Sequence, residues 1–180
     1  MTAPALLLEL SYDVTIDDAI AFALFHDAHS PVLRRRRRLL RLGMAMLLAV
    51  IAAAVAGLAR APTLGLVGLG FAFAFWWIFP RRYERGLRES VAKIHAEGNN
   101  VDVLGPTRLV LDEEFVTEST PARDVRTRWA AIEQCVDTGD HLFVYVTGSS
   151  AVIVPKRSLA PGLAEKLVSE IRQRMPAGAS

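Results

Sequence analysis

Two long apolar runs dominate the pattern of hydrophobic and polar positions along this chain. Leu42–Ala59 and Leu64–Phe79 contain no charged residue and no histidine. A helix rises about 1.5 Å per residue, so each run spans about 24–29 Å, close to the hydrocarbon thickness of a bilayer. Helices that face a soluble core keep a polar stripe, and neither run has one. The pattern predicts a transmembrane hairpin with spans at 42–59 and 61–79, in preference to two buried helices of a soluble protein.

Small residues recur in both runs at helical spacing. Such residues let a neighbouring helix approach closely. In the first run we predict a seam at every fourth position, formed by Ala45, Ala49, Ala53 and Gly57. Gly68 and Ala72 offer a facing surface in the second run. The sequence leaves open whether the first run packs against the second or against another chain.

The residues before the hairpin predict a strand and a helix. Apolar side chains alternate with others in Ala5–Tyr12, which is typical of a strand. Thr15 and Asp18 have the spacing of a capping box, so a helix should begin there and run to about His29. Its many apolar residues leave two environments open, against the cytoplasmic domain or on the membrane surface.

The pattern changes after the hairpin. Pro80 should break or kink the second span, and residues 81–97 should continue as an amphipathic helix that Gly98-Asn99-Asn100 ends. From Thr107 the period becomes two, which predicts short strands at 108–111, 115–118, 125–129, 131–136, 141–147 and 151–154. An amphipathic helix should close the chain at 161–175. We expect Leu6–Tyr12 to join this sheet, because a lone strand cannot bury its leucines.

These elements define the predicted fold class and domain boundaries. We expect an α+β membrane protein, in which a two-helix transmembrane hairpin is combined with a small antiparallel β domain that a C-terminal helix caps. The parts are an N-terminal strand, helix and polybasic segment (1–41), the hairpin (42–79), a juxtamembrane helix (81–97) and the β domain with its helix (99–180).

Arginine lies mostly at one end of the predicted hairpin, although the net charge is only +2. The positive-inside rule then places both flanks and both termini in the cytoplasm. The run 34–38 either sets this topology, which we favour as its main role, or binds anionic lipid headgroups at about 1 kcal/mol per arginine. If it only sets topology, Arg→Lys changes should hardly alter lipid binding. The headgroup candidates are Arg34, Arg35, Arg36, Arg37, Arg38, Arg41, Arg81 and Arg82.

Little in the composition points to catalysis, metal binding or nucleic-acid binding. Cys135 is the only cysteine, which excludes an intrachain disulfide and a multi-cysteine metal site. His26 and His29 share a helix face, but no further ligand cluster completes a metal shell, so we expect neither metal nor cofactor. Gly148-Ser149-Ser150 lacks the flanking glycines of a nucleophile elbow. The arginines lie beside predicted lipid, so we expect no nucleic-acid partner.

The chain resembles the YcxB-like family of bacterial membrane proteins. The resemblance rests on the order of its parts, on Gly105-Pro106 before the first strand of the tail, on Trp129 and Ile132 followed by Val136, and on Val154-Pro155-Lys156-Arg157. Leu159 stands where the family pattern has an aromatic residue. The resemblance implies a cytoplasmic domain like the bacterial pleckstrin-homology-like modules and no established catalytic activity.

Together, these observations predict a membrane-anchored, non-catalytic interaction module of the bacterial inner membrane. Its β domain would bind a protein or an anionic headgroup, with Arg126, Arg128, Lys156 and Arg157 as contact candidates. Expected partners are a bilayer with anionic lipids and either a membrane protein or a second copy of the chain. The alternative is an accessory subunit of a membrane transport or enzyme complex.

Overall fold

The computed structural model describes residues 6–97 and 104–176. In these ranges the chain forms four helices: α1 (Ile16–His29), α2 (Pro31–Ala59), α3 (Pro62–Glu97) and α4 (Leu163–Arg174). It also forms seven strands: β1 (Leu6–Val14), β2 (Gly105–Asp112), β3 (Phe115–Ser119), β4 (Asp124–Arg128), β5 (Gln134–Asp137), β6 (His141–Thr147) and β7 (Ser150–Pro155). The predicted helix end at Gly98-Asn99-Asn100 and the predicted strand start at Ala5 lie outside the described residues.

The chain divides into two compact units. The β unit comprises Met1–Phe22 and Val91–Ser180, and the helical unit comprises Ala23–Ser90. The chain therefore leaves the β unit within α1 and re-enters it near the end of α3. The combination of helices with antiparallel sheets confirms the predicted α+β class.

The β unit contains a four-stranded sheet, β1-β2-β3-β4, and a three-stranded sheet, β5-β6-β7, and both are antiparallel. In the first sheet, β1 pairs with β2 from Leu6 opposite Asp112 to Val14 opposite Gly105. This pairing confirms that the N-terminal strand joins the C-terminal sheet. The strand is two residues longer than predicted, because Val14 is also buried.

Both sheets and α4 share one hydrophobic core. Leu109 of β2, Val154 of β7 and Leu167 of α4 are each fully buried in it. The apolar side chains of α4 pack into this core: Leu167, Val168 and Ile171 are buried and Leu163 is partly buried. The C-terminal helix therefore covers the core, as the sequence pattern predicts.

The chain turns sharply after β4, where an extended segment was expected. Residues 129–131 form a short 3-10 helix, and β5 begins only at Gln134. Trp129 is 6% exposed, and its indole Nε1 donates a hydrogen bond of 2.9 Å to the Asp112 carbonyl. The turn lets the chain pass from the first sheet to the second, and the buried indole fixes its position.

The start of α1 covers the three-stranded sheet. The Phe22 ring contacts the rings of Phe143 and Tyr145 at centroid distances of 5.4 and 5.6 Å. As a result, β6 is buried on both faces between Leu142 and Tyr145. Up to Phe22, α1 therefore packs against the three-stranded sheet, which is one of the two environments that the sequence left open for this helix.

In the helical unit, α2 and α3 are both long enough and apolar enough to cross a membrane. Their apolar side chains are mostly exposed. The arginine run lies in the first turns of α2, because arginine is a good helix former. Ser30 caps the N-terminus of this helix. Likewise α3 does not end at Pro80 but runs through it.

The connection between α2 and α3 is short and capped. Arg60 adopts the left-handed conformation at the end of α2, with φ of 51°. The Ala61 N–H then donates to the Ala56 carbonyl at 3.1 Å, which is the 6→1 hydrogen bond of a Schellman motif. Pro62 opens α3, so the connection between the two helices consists of Arg60 and Ala61.

The small-residue seam of α2 differs in part from the predicted one. Ala52 is buried, and a Cβ built on Gly68 would lie 2.3 Å from its Cβ, so α2 packs closely against α3. Ala53 and Gly57, by contrast, are exposed. Steps of four drift around a helix of 3.6 residues per turn, so the seam follows steps of four and three through Ala45, Ala49, Ala52 and Ala56. Gly68 and Ala72 are on the facing surface, as predicted.

Candidate functional site

The arginines of α2 lie on two different faces of the helix. Positions i, i+3, i+4 and i+7 share one face, and they are occupied by Arg34, Arg37, Arg38 and Arg41. These side chains line a cavity together with residues of α3. Arg35 and Arg36 line a separate, mainly apolar groove along α2. The run is therefore not a uniform belt of charge.

Arg41 is held by a backbone carbonyl that Pro80 leaves without its helical partner. Proline has no N–H, so position 80 cannot donate to the carbonyl four residues earlier, which belongs to Trp76. The Arg41 guanidinium donates to this oxygen from Nε at 3.2 Å and from Nη2 at 2.9 Å. It also lies 3.7 Å from the centroid of the Trp76 ring. Arg41 thus supports the helix at its proline and stacks on an aromatic ring.

Arg37 is neutralised by a buried carboxylate. Its Nη1 lies 3.2 Å from Asp27 Oδ2, and the Asp27 side chain is only 8% exposed. The Tyr83 hydroxyl donates a bond of 3.0 Å to the other oxygen of Asp27. Asp27 therefore connects α1, α2 and α3 inside the helical unit and fixes the position of Arg37.

The cavity between α2 and α3 has a volume of about 400 Å³. Besides the four arginines it is lined by Leu42, Trp76, Phe79, Pro80 and Glu84. Among the described residues, neither Arg34 nor Arg38 has a carboxylate within 4.0 Å. In the described chain, two carboxylates lie beside the four guanidiniums: Glu84 in the wall of the cavity and Asp27, which pairs with Arg37. Two of the four positive charges therefore have no matching negative charge. Such a site is suited to an anion with several acceptor oxygens.

Arg81 and Arg82 follow Pro80 on α3. Both are exposed, and neither lines the cavity. The structure therefore separates the eight predicted headgroup candidates into four that line one cavity and four that lie elsewhere on the helices.

In the β unit, two of the four contact candidates lie on β4, an edge strand of the four-stranded sheet. Arg126 and Arg128 are both exposed, as the alternating pattern predicts. Their guanidinium carbons lie 4.2 and 5.6 Å from the centroid of the Phe115 ring. Arg126 also lies 3.8 Å from Asp112. These residues form a surface on which two exposed cations flank one half-buried aromatic ring, here called the β4 surface.

The other two contact candidates have partners within the β unit. Lys156 forms an ion pair with Asp137, and Arg157 forms a two-pronged ion pair with Asp18. The structure therefore does not bring all four candidates together. Arg157 links the segment after β7 to the first turn of α1.

Asp18 is the centre of this second cluster and is 1% exposed. Its carboxylate accepts from the Thr15 backbone N–H at 2.8 Å, from the Thr15 hydroxyl at 2.8 Å and from His141 Nε2 at 2.7 Å. Arg157 adds a bond of 2.6 Å from Nη2 and a shorter one from Nη1. Burial raises the pKa of Asp18, but the hydrogen bonds from Arg157, Thr15 and His141 outweigh it and hold the pKa well below its usual range.

Sequence reasoning identified Thr15 and Asp18 as a capping box and found neither of the distant partners. The Thr15 N–H does bond to Asp18, but the Thr15 hydroxyl also donates to Asp18 instead of accepting from the helix. Arg157 and His141 are more than 120 residues away from Asp18 along the chain, at separations of 139 and 123. The sequence did contain one signal for such a partner. Asp18 is followed directly by the apolar positions of α1, and a carboxylate buried at such a place needs a partner of opposite charge or a hydrogen-bond donor.

The described residues contain no group of three potential ligands placed to hold a metal ion. His29 Nδ1 donates to the Phe25 carbonyl at 2.8 Å, and its ring stacks on that of Phe25. The Cys135 thiol is buried, and burial raises its pKa to about 11. It is a protonated, poorly reactive side chain at neutral pH.

Comparison with known proteins identifies a family that part of the chain resembles. No curated protein and no solved structure matches the chain. The matching family model covers about a third of the sequence, from the end of β2 into α4, and includes Trp129 and the Val154–Arg157 segment on which the resemblance rests. Residues 111–171 match the family described as YcxB-like protein, which confirms the resemblance found in the sequence.

Proposed function

We propose that the chain is a membrane-anchored, non-catalytic interaction module. Its hairpin of α2 and α3 crosses the bacterial inner membrane with both termini in the cytoplasm, and its β domain binds a protein or an anionic headgroup there. The observation that carries this proposal is the distribution of charge on the helical unit. Two exposed apolar helices have arginines at the end where Arg41 meets Trp76, whereas the connecting turn has only Arg60.

The architecture of the β unit supports a pleckstrin-homology-like domain. Two antiparallel sheets share a core, and the C-terminal helix packs into it through Leu167 and Ile171. The sequence pattern predicts a small antiparallel domain capped by a C-terminal helix, and the family resemblance implies that such a domain is pleckstrin-homology-like.

The β4 surface is the best candidate for partner binding within the β unit. Lys156 and Arg157 already have carboxylate partners, whereas Arg128 has none among the described residues. Edge strands carry unpaired backbone groups as well, so a partner strand can add to β4. An acidic segment or an anionic headgroup would complement the arginines and lie over Phe115.

The chemistry-bearing residues of the β unit serve the fold in this proposal. His141 and Arg157 both donate to Asp18, so the most buried carboxylate of the unit holds the structure together. Gly148 and Ser149 form the exposed turn between β6 and β7, where the Thr147 hydroxyl accepts from the backbone.

Crosslinking in intact membranes tests the proposal. A photoreactive residue introduced at Asp124, which is exposed on the same face of β4 as Arg126 and Arg128, would sample the β4 surface, and the products would be compared in two backgrounds. We expect R126E/R128E to abolish the crosslink, because it reverses the charge beside Phe115. The matched control K166E/R172E reverses two exposed charges on α4 and should leave it unchanged. Equal products in both backgrounds would remove the β4 surface from the proposal.

A further inference from the structure

We propose that the cavity between α2 and α3 is a specific binding site for the phosphate group of an anionic phospholipid, with Arg34 and Arg38 as its main donors. The inference rests on the membrane anchoring of the proposed function and names a ligand for that part of the chain. It gives these two arginines a binding role in addition to the topological role that the sequence favours for the whole run.

The spacing and shape of the arginine side chains suit a phosphate group. Arg34 and Arg38 are one helical turn apart, so their Cβ atoms are about 5–6 Å apart and both side chains point to one face. Each guanidinium presents a planar fork of donors that matches a pair of phosphate oxygens. Arg41 contributes to the same wall and is already fixed by the Trp76 ring and carbonyl. A phosphate entering the cavity would therefore meet one guanidinium, that of Arg41, which is already held in place.

The charges around the cavity favour an anion. Arg37 is neutralised by Asp27, and Glu84 offsets one further charge, but Arg34 and Arg38 have no carboxylate within salt-bridge distance in the described chain. Guanidiniums that share one face of α2 repel each other unless an anion lies between them. A bound phosphate would relieve this repulsion. A volume of about 400 Å³ is large enough to admit a lipid headgroup.

The position of the cavity along α2 and α3 favours a lipid over a soluble anion. The cavity lies where α2 changes from arginines to the uncharged run that begins at Leu42. On α3 it is bordered by Trp76 and Phe79, and aromatic residues of this kind are enriched at the membrane–water interface. Lipid phosphates lie at this level of a bilayer, so the site would open towards them.

Lipid retention by the full-length protein tests the proposal. Wild-type protein and two double variants would be reconstituted in vesicles of phosphatidylcholine and phosphatidylglycerol, extracted in mild detergent and analysed by native mass spectrometry. R34K/R38K keeps both charges but removes the guanidinium forks, and we expect it to lower phosphatidylglycerol retention about tenfold. The matched control R35K/R36K makes the same change on the other face of α2 and should stay within about twofold of wild type. Circular dichroism would establish that both variants are folded.

Three results would overturn the inference. Equal losses in the two double variants would show that only diffuse charge matters, and no loss in R34K/R38K would show that guanidinium geometry is irrelevant. Displacement of phosphatidylglycerol by inorganic phosphate would assign the cavity to a soluble anion. Failure of the proposed function is distinguished by carbonate extraction. A protein that stays in the membrane pellet but retains no phosphatidylglycerol loses only the lipid site, whereas one released by carbonate loses its membrane anchoring as well.

Discussion

At the scale of single residues, Arg41 and Pro80 compensate for one another. The proline leaves the Trp76 carbonyl without a backbone donor, and the arginine replaces it. The sequence placed Arg41 among the charges that flank a span, because only the structure brings it next to a carbonyl 35 residues away along the chain. Its function in the fold is thus separate from its contribution to topology.

A double-mutant cycle measures this compensation. Arg41→Met should destabilise the hairpin in the wild-type background and less so beside Pro80→Ala, since alanine restores an N–H for the Trp76 carbonyl. We expect a coupling of about 1–2 kcal/mol, the size of a hydrogen bond to a charged donor. Unfolding in mixed micelles of mild detergent and dodecyl sulfate provides the measurement. Arg38→Met serves as the control and should show no coupling to position 80.

Asp18 is the residue whose loss should most affect the β unit. Asp18→Asn replaces one buried acceptor oxygen by an NH2 donor and removes the charge that pairs with Arg157, so it should destabilise the packing of α1 on β6 by about 2 kcal/mol. Hydrogen exchange of the full chain would show faster exchange in β6 and β7. Asp17→Asn, one position earlier and exposed, is the matched control, and an equal effect there would contradict the assigned role.

The same residue sets a pH dependence. The pKa of Asp18 is lower in the folded protein than in the unfolded chain, so its contribution to stability is fully present above the unfolded value of about 4 and is lost as the pH falls below it. Exchange protection of β6 should therefore decrease below about pH 4 in the wild type. The decrease should be smaller in Asp18→Asn, and identical pH profiles would argue against this ion pair as the cause.

At the scale of elements, the packing of α2 on α3 depends on Gly68. A Cβ at this position would overlap Ala52, so Gly68→Ala should force the helices apart and cost about 1–3 kcal/mol. Ala52→Gly in the same molecule should restore most of the loss, because it removes the overlapping methyl group. Gly70→Ala, where nothing lies within 4 Å, should be tolerated. The measurement is the same mixed-micelle unfolding, and a missing rescue would exclude this contact as the reason.

Element types were predictable where one local signal dominates. The run of β-branched and aromatic residues at 141–147 predicts β6 with its observed bounds, and the apolar face of residues 161–175 predicts α4. The predicted element boundaries were wrong where the side-chain chemistry changes along the chain but the backbone conformation does not. The change from arginine to leucine near Leu42 alters the solvent of the helix and not its backbone, so α2 continues through it. The 3-10 turn at Trp129 depends on a bond to Asp112, which local periodicity does not encode.

At the scale of the whole molecule, the proposed orientation in the membrane can be tested by labelling cysteines on either side. Thr63→Cys lies at the start of α3 and should react with an impermeant maleimide in intact cells, whereas Pro176→Cys should react only after permeabilisation. The native Cys135 thiol is buried with a pKa of about 11, so background labelling should be low. Labelling of Pro176→Cys in intact cells would contradict the proposed orientation.

The pairing of β1 with β2 also sets an order of events during synthesis. Val14 leaves the ribosome about 90 residues before its partner Gly105. At about 5–20 residues per second, β1 waits for roughly 5–20 s before its sheet can form. Through that interval its leucines and backbone groups are unsatisfied, while both apolar helices emerge. The nascent chain therefore has its greatest need of a chaperone before the second half of the β unit is translated, and truncation anywhere upstream of β2 leaves β1 without its native pairing partner.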